Sequence, residues 1–133
     1  MAKSTTFQCS VVTPERIVLD TQATFVAFPA HDGEVGILPN RAPLVCRMGI
    51  GTLRIESPQG NHTFFVDGGF AQVVDNRLTL LTEQAKKQAD LAGPAAEKAL
   101  SEARSLPMVT DEAYTKRQKA VKRAQVQVKL ARR

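Results

Sequence analysis

Only two histidines, His31 and His62, occur among the 133 residues, and neither has a second metal-ligating residue at metal spacing. There is also no HExxH and no pair of CxxC steps. Both histidines stand beside turns and are expected to be solvated rather than ligands. No GxSxG or GxxxxGK[ST] occurs, and Gly49-Ile50-Gly51 leads into the strand-like Thr52-Leu53-Arg54-Ile55, not into a helix whose amino end could hold phosphate. The carboxylates Asp32 and Glu34 flank a glycine in a loop, without the apolar surroundings that raise a pKa for acid or base work. A loop that contacts a partner, or one that is simply hydrated, is the better reading of them.

The remaining chemistry is electrostatic. Lys116, Arg117, Lys119, Lys122 and Arg123 belong to a segment, 111–133, with eight basic residues against two acidic ones. Such a run either solvates one helix face or lies on nucleic acid, anionic lipid or an acidic protein surface. Against nucleic acid, Tyr114 is its only stacking residue and no binding motif is present. Against lipid, its apolar positions lack the bulky Leu, Phe or Trp of an interfacial helix. An acidic protein partner is the best of the three.

These features need elements to carry them, and the composition divides the chain in two. Residues 1–85 hold 6 Lys+Arg against 8 Asp+Glu and all six phenylalanines, whereas residues 86–133 hold 12 against 5 and the single tyrosine. A joint shift of charge and aromatic content marks a boundary between a part that can build a bulky core and one that cannot. The expected organisation is therefore a β domain over 1–85 and a helical hairpin over 86–133. Hydrophobic residues at 43% and charged residues at 23% fit a folded protein. No apolar run approaches the roughly 20 residues of a membrane span. The start, MAKSTTFQCSVV, has no apolar h-region, so Cys9 and Cys46 are expected to be free thiols in a reducing compartment.

The first part reads as nine or so short strands at a spacing of about 8 to 12 residues. Turns are expected at Thr13-Pro14-Glu15, His31-Asp32-Gly33, Pro39-Asn40, Gly49-Ile50-Gly51, Pro58-Gln59-Gly60-Asn61, Asp67-Gly68-Gly69 and Asp75-Asn76. Without helical periods between the strands, the pattern predicts an antiparallel sandwich with no large ligand cavity. In the second part Ala95, Ala96, Ala99, Leu100 and Ala103 recur at helical spacing behind Gly93-Pro94, and Pro107 must end that helix. Thr110 is the expected cap of a second helix, with Asp111 and Glu112 in its first turn and Lys129, Arg132 and Arg133 in its last. Its apolar stripe is built mostly of methyl groups and is interrupted by Arg117. Each buried methylene contributes only about 0.8 kcal/mol, so the stripe reads in two ways: a weakly held hairpin that is a plausible mobile part, or small side chains that let two helices pack closely.

The run Phe25-Val26-Ala27-Phe28-Pro29-Ala30-His31-Asp32-Gly33-Glu34-Val35-Gly36-Ile37-Leu38-Pro39-Asn40-Arg41-Ala42-Pro43-Leu44 closely resembles the signature loop of the epsilon subunits of F-type ATP synthases. Gly51-Thr52-Leu53-Arg54-Ile55, Phe65 to Val73 and Leu78 to Ala85 agree in order and spacing. The resemblance is specific over the first 85 residues and architectural afterwards. It implies an N-terminal antiparallel β-sandwich of about ten strands, followed by a C-terminal two-helix hairpin.

The resemblance further implies a non-catalytic rotor subunit that needs no cofactor or metal and couples a proton-driven c-ring to the catalytic head through gamma. By position, Asp32, Glu34 and Val35 would face the c-ring. Arg41, Ala42 and Pro43 would face gamma, with Arg41 where many relatives have histidine. Lys116, Arg117, Lys119, Lys122 and Arg123 would reach acidic segments of the alpha and beta subunits when the hairpin extends, restraining ATP hydrolysis. Some relatives bind ATP through an Asp followed three residues later by Arg. Here Asp90 is followed by Gly93, so ATP binding is not expected. Such a subunit sits on the cytoplasmic face of a bacterial plasma membrane or the stromal face of a thylakoid, touching the membrane only indirectly. The alternative is a free-standing sandwich whose basic tail binds nucleic acid or another acidic polymer.

Overall fold

A computed structural model describes residues 4–132; Arg133, expected in the last helical turn, lies outside them. The chain divides into two compact units, with the boundary after Lys86. Eight strands run in order as β1 (Phe7–Val12), β2 (Ile17–Ala23), β3 (Phe25–Ala30), β4 (Gly33–Ile37), β5 (Leu44–Ser57), β6 (Gly60–Val74), β7 (Arg77–Leu81) and β8 (Ala85–Lys87). A 3-10 turn at Gln88–Asp90 and helices α1 (Gly93–Arg104) and α2 (Asp111–Ala131) follow.

The strand order β2-β1-β7-β6-β5-β3-β4, with β8 also paired to β6, folds into two layers because β5 and β6 belong to both. The first half of β5 pairs with the second half of β6, from Leu44 opposite Val73 to Met48 opposite Gly69. The second half of β5 pairs with the first half of β6, from Ile50 opposite Asp67 to Ser57 opposite Gly60. One layer is then completed by β7, β1 and β2, the other by β3 and β4. Between them lies one core that includes Phe28, Phe64, Ile37, Leu53, Ile55, Leu78 and Leu80.

The sandwich is as expected, with two corrections. Gly49-Ile50-Gly51 and Asp67-Gly68-Gly69 are bends inside continuous strands rather than turns between strands, so that β5 and β6 are long, at 14 and 15 residues, and the eight strands come near the expected ten. Glycine makes the bends possible. A Cβ on Gly69, which has φ +109°, would stand 1.8 Å from the Leu81 carbonyl oxygen, and one on Gly49 would stand 2.9 Å from that of Ala30. The sheet is also mixed, since β1 runs parallel to β7 with Val12 beside Leu81. The Asp75–Asn76 turn is as expected: both residues take positive φ, 52° and 59°, the type I′ geometry that matches hairpin twist.

In the second unit Pro94 occupies the first turn of α1, and the Thr110 side chain accepts the Ala113 N–H at 3.0 Å to cap α2. Asp111 and Glu112 in the first turn and Lys129 in the last complement the helix dipole. The buried residues of the two helices are Ala96, Ala103, Ala124, Val128 and Leu130. No described helix is long and apolar enough to cross a membrane.

Candidate functional site

No three His, Cys, Asp or Glu side chains among the described residues gather as metal ligands would. His31 lies exposed in the β3–β4 turn. His62 departs from the expected solvated turn position: it sits within β6 opposite Ile55, half-buried, its ring stacked on Phe64 with centroids 6.5 Å apart. Cys9 and Cys46 are both free. Burial in the core, with a smaller contribution from the Asp20 carboxylate, pushes the Cys9 thiol up to about 12, so Cys9 is a packing residue and a poor nucleophile.

The surfaces are more informative. At the tip of the β3–β4 hairpin, Asp32 and Glu34 are exposed, and the Glu34 carboxylate accepts from the Arg54 guanidinium at 3.1 Å. Glu34 lies opposite Pro29 and Arg54 opposite Ala27, so the pair reaches over β3. With about half of each side chain exposed, it adds roughly 0–1 kcal/mol of stability and leaves both groups open to a partner. Val35 differs from its neighbours, being half-buried opposite Phe28 and packed on the core.

Arg41, Ala42 and Pro43 are exposed in the connection from β4 to β5. That connection is tied down at Asn40, whose backbone N–H donates to the Asn76 side chain at 2.7 Å and whose side chain donates to the Ser4 carbonyl. Beyond it lies a surface that the sequence reading did not pick out. Ile17 is opposite Val12, Val12 beside Leu81, Leu81 opposite Phe70, and Phe70 opposite Arg47. This makes an apolar row straight across the outer face of four strands, with Ile17 61%, Leu81 48% and Phe70 50% exposed. The Arg47 guanidinium covers the Phe70 ring at 5.8 Å, within cation–π range. Val45, also exposed, extends the patch on the next outward position of β5.

Polar residues flank the row. Asp20 accepts hydrogen bonds from the side chains of Ser10 and Gln8, and Gln8 accepts one from Gln22. An apolar strip bordered by polar groups is the composition of a protein-docking surface. The signal was present in the sequence as adjacent apolar pairs, Val11-Val12 and Leu80-Leu81. In these pairs one residue enters the core and the other cannot.

On α2 the five basic candidates divide. Lys116, Lys119 and Lys122 are exposed, whereas Arg117 and Arg123 are half-buried. Arg117 donates from Nη2 and Nε to the Arg104 carbonyl of α1, at 3.1 and 3.3 Å. Near the other end Arg132 pairs with Glu97 at 3.3 Å, and Gln88 donates to the Leu130 carbonyl at 3.0 Å. Asp90 is exposed in the 3-10 turn, and Gly93 opens α1 with open space where a Cβ would stand.

Comparison with known proteins accords with this arrangement. Residues 6–88 match the family model described as ATP synthase, Delta/Epsilon chain, beta-sandwich domain. Over 125 residues, covering 94% of this chain and 98% of the relative, the sequence is 44% identical to an ATP synthase epsilon chain of Rhodopirellula baltica. It is 38% identical over 128 residues to one of Delftia acidovorans, covering 96% and 83%. The fold is similar to a chain in the Euglena gracilis mitochondrial ATP synthase, with TM-score 0.84 at 19% identity over 94% of this chain and 81% of that one. It is also similar to a chain in the central stalk and c-ring of the Tetrahymena thermophila enzyme, with TM-score 0.76 at 13% identity over 98% and 99%. A family model matched over residues 6–88 and relatives 38–44% identical along nearly the whole chain lead to one assignment: the chain belongs to the ATP synthase delta/epsilon family.

Proposed function

We propose that this chain is a non-catalytic central-stalk subunit of a proton-translocating F-type ATP synthase, linking c-ring rotation to the catalytic head through gamma. The observation that carries the reading is the 44% identity to a bacterial epsilon chain over almost the full length of both proteins. In this reading the exposed Asp32 and Glu34 meet the c-ring loops, with Val35 fixing the hairpin from inside. Arg41, Ala42 and Pro43 face gamma together with the apolar row Ile17, Val12, Leu81 and Phe70. The row supplies the area that leaves water on docking, and the loop charges set orientation. The subunit then belongs at the cytoplasmic face of a bacterial membrane, held there by protein contacts.

The hairpin is proposed as a brake on ATP hydrolysis, with Lys116, Lys119 and Lys122 directed at acidic segments of the alpha and beta subunits. The test is ATP hydrolysis by a matched complex of alpha, beta and gamma subunits, alone, with the full chain, and with a chain ended at Gln88. Binding of both forms with inhibition by the full chain alone is the expected result. Binding without inhibition by either would remove the brake and leave the rotor role. Failure of both to bind, with salt-sensitive DNA binding by the full chain, would replace the rotor role with the nucleic-acid alternative. Because Gly93 stands where ATP-binding relatives carry arginine, the isolated chain is expected to show no saturable ATP binding in calorimetry. The open space around Gly93 makes Gly93→Arg the variant in which binding would be sought.

A further inference from the structure

The end of α1 has an unusual donor. Its closing carbonyls are mostly served locally: the Glu102 carbonyl accepts from the Ser105 hydroxyl at 2.8 Å and the Ser105 N–H at 3.2 Å, and the Ala103 carbonyl accepts the Leu106 N–H at 3.2 Å. The next carbonyl, that of Arg104, would take its 3-10 donor from the residue three positions on. That residue is Pro107, which has no N–H. The missing donor comes instead from the other helix, where the Arg117 guanidinium reaches the Arg104 oxygen through both Nη2 and Nε. A cation at a helix C-terminus is also favoured by the helix dipole.

We infer that Arg117 is a clamp between the two helices, a positioning residue that holds the start of α2 against the end of α1 and so sets how readily the hairpin opens at its tip. Four features point the same way. Pro107 removes the local donor, the guanidinium fork supplies two N–H groups to one oxygen, Arg117 is half-buried whereas Lys116 and Lys119 beside it are exposed, and the helices bury mainly alanine along their length. A contact between side chain and backbone therefore carries a larger share of the hairpin's cohesion than it would in a leucine-rich pair. Arg117 thereby leaves the set of residues that meet a partner while the hairpin is closed.

The test is amide hydrogen exchange on the full chain, read by NMR at Ser105, Leu106, Ala113 and Tyr114, whose N–H groups are bonded around the tip. Arg117→Gln should speed exchange at these four amides about tenfold, the loss expected of one hydrogen bond to a charged group. Lys116→Gln removes the same charge one residue away and should leave them at the wild-type rate. Arg117→Lys keeps the charge without the fork and should fall between. Equal rates in Arg117→Gln and Lys116→Gln would overturn the clamp. So would an equal acceleration at Leu100 and Val128, because it would make Arg117 a general support of both helices rather than a fastening at the tip.

Discussion

In the sandwich the largest fully buried side chains are Phe28, Phe64, Phe65, Ile37, Leu53 and Ile55, whereas the buried residues of the hairpin are three alanines, one valine and one leucine. Full burial of a large apolar side chain stabilises by about 1.5–3 kcal/mol, against roughly 0.8 kcal/mol for a single buried methylene. The hairpin makes up part of the difference with polar fastenings at both ends, Arg117 to Arg104 at the tip and Arg132 to Glu97 with Gln88 to Leu130 at the base. A unit held by apolar volume resists small chemical changes until packing fails. One held by a few directed bonds can be loosened one bond at a time, which suits a part proposed to move.

The contrast is broken most severely at the bends. Gly69→Ala places a methyl group on the Leu81 carbonyl at a backbone angle reserved for glycine. It should destabilise the sandwich by more than about 3 kcal/mol, read as a loss of urea midpoint or of soluble protein. A more gradual effect comes from pH. The Cys9 thiol is held at about 12 against an ordinary 9.0, so between those values the unfolded chain releases a proton that the folded chain retains. Stability should therefore fall as pH rises from 9 to 12, by up to about 1.4 kcal/mol per unit, and Cys9→Ala should flatten the slope. In native protein a thiol reagent should label Cys46 first and Cys9 only on unfolding.

In the hairpin the expected effects are smaller and local. Thr110→Ala removes the α2 cap and should cost about 1 kcal/mol, visible as reduced helical circular dichroism and faster exchange at Ala113. The finest division concerns the basic face. If the hairpin is a brake, replacing Lys116, Lys119 and Lys122 together by Gln should weaken inhibition of ATP hydrolysis severalfold, in proportion to the exposed-pair energies involved. Arg117→Gln should instead strengthen inhibition by releasing α2. Loss of inhibition in both would return Arg117 to the partner-facing set.

The two units were legible in the sequence to different degrees. Strand positions, the Asp75–Asn76 turn and the Thr110 cap followed from alternation and local hydrogen-bond chemistry, which act over a few residues. Continuity of β5 and β6 did not. Glycine pairs at 49–51 and 68–69 carry the same signal whether the chain reverses or bends, and only the opposing strands decide between them. The parallel pairing of β1 with β7 was hidden for a related reason: its partners lie about seventy residues apart. At the candidate surfaces, exposure of Asp32, Glu34 and Arg41 could be read from turn residues. The apolar row emerged only once the register had aligned Ile17, Val12, Leu81 and Phe70. The role of Arg117 depended on a carbonyl thirteen residues away.

The unbroken run of β5 and β6 through both layers also has a mechanical side. The Asp32–Glu34 tip belongs to one layer and the apolar row to the other, and Ala30, just before the tip, lies opposite Met48 at the bend of β5. A sideways load applied at the tip is transmitted across the sandwich by two covalent backbones and the hydrogen-bond ladder between them. It does not rely on side chains that could slide over one another. For a subunit proposed to turn with a ring and push on a shaft, that construction favours torsional stiffness in the sandwich.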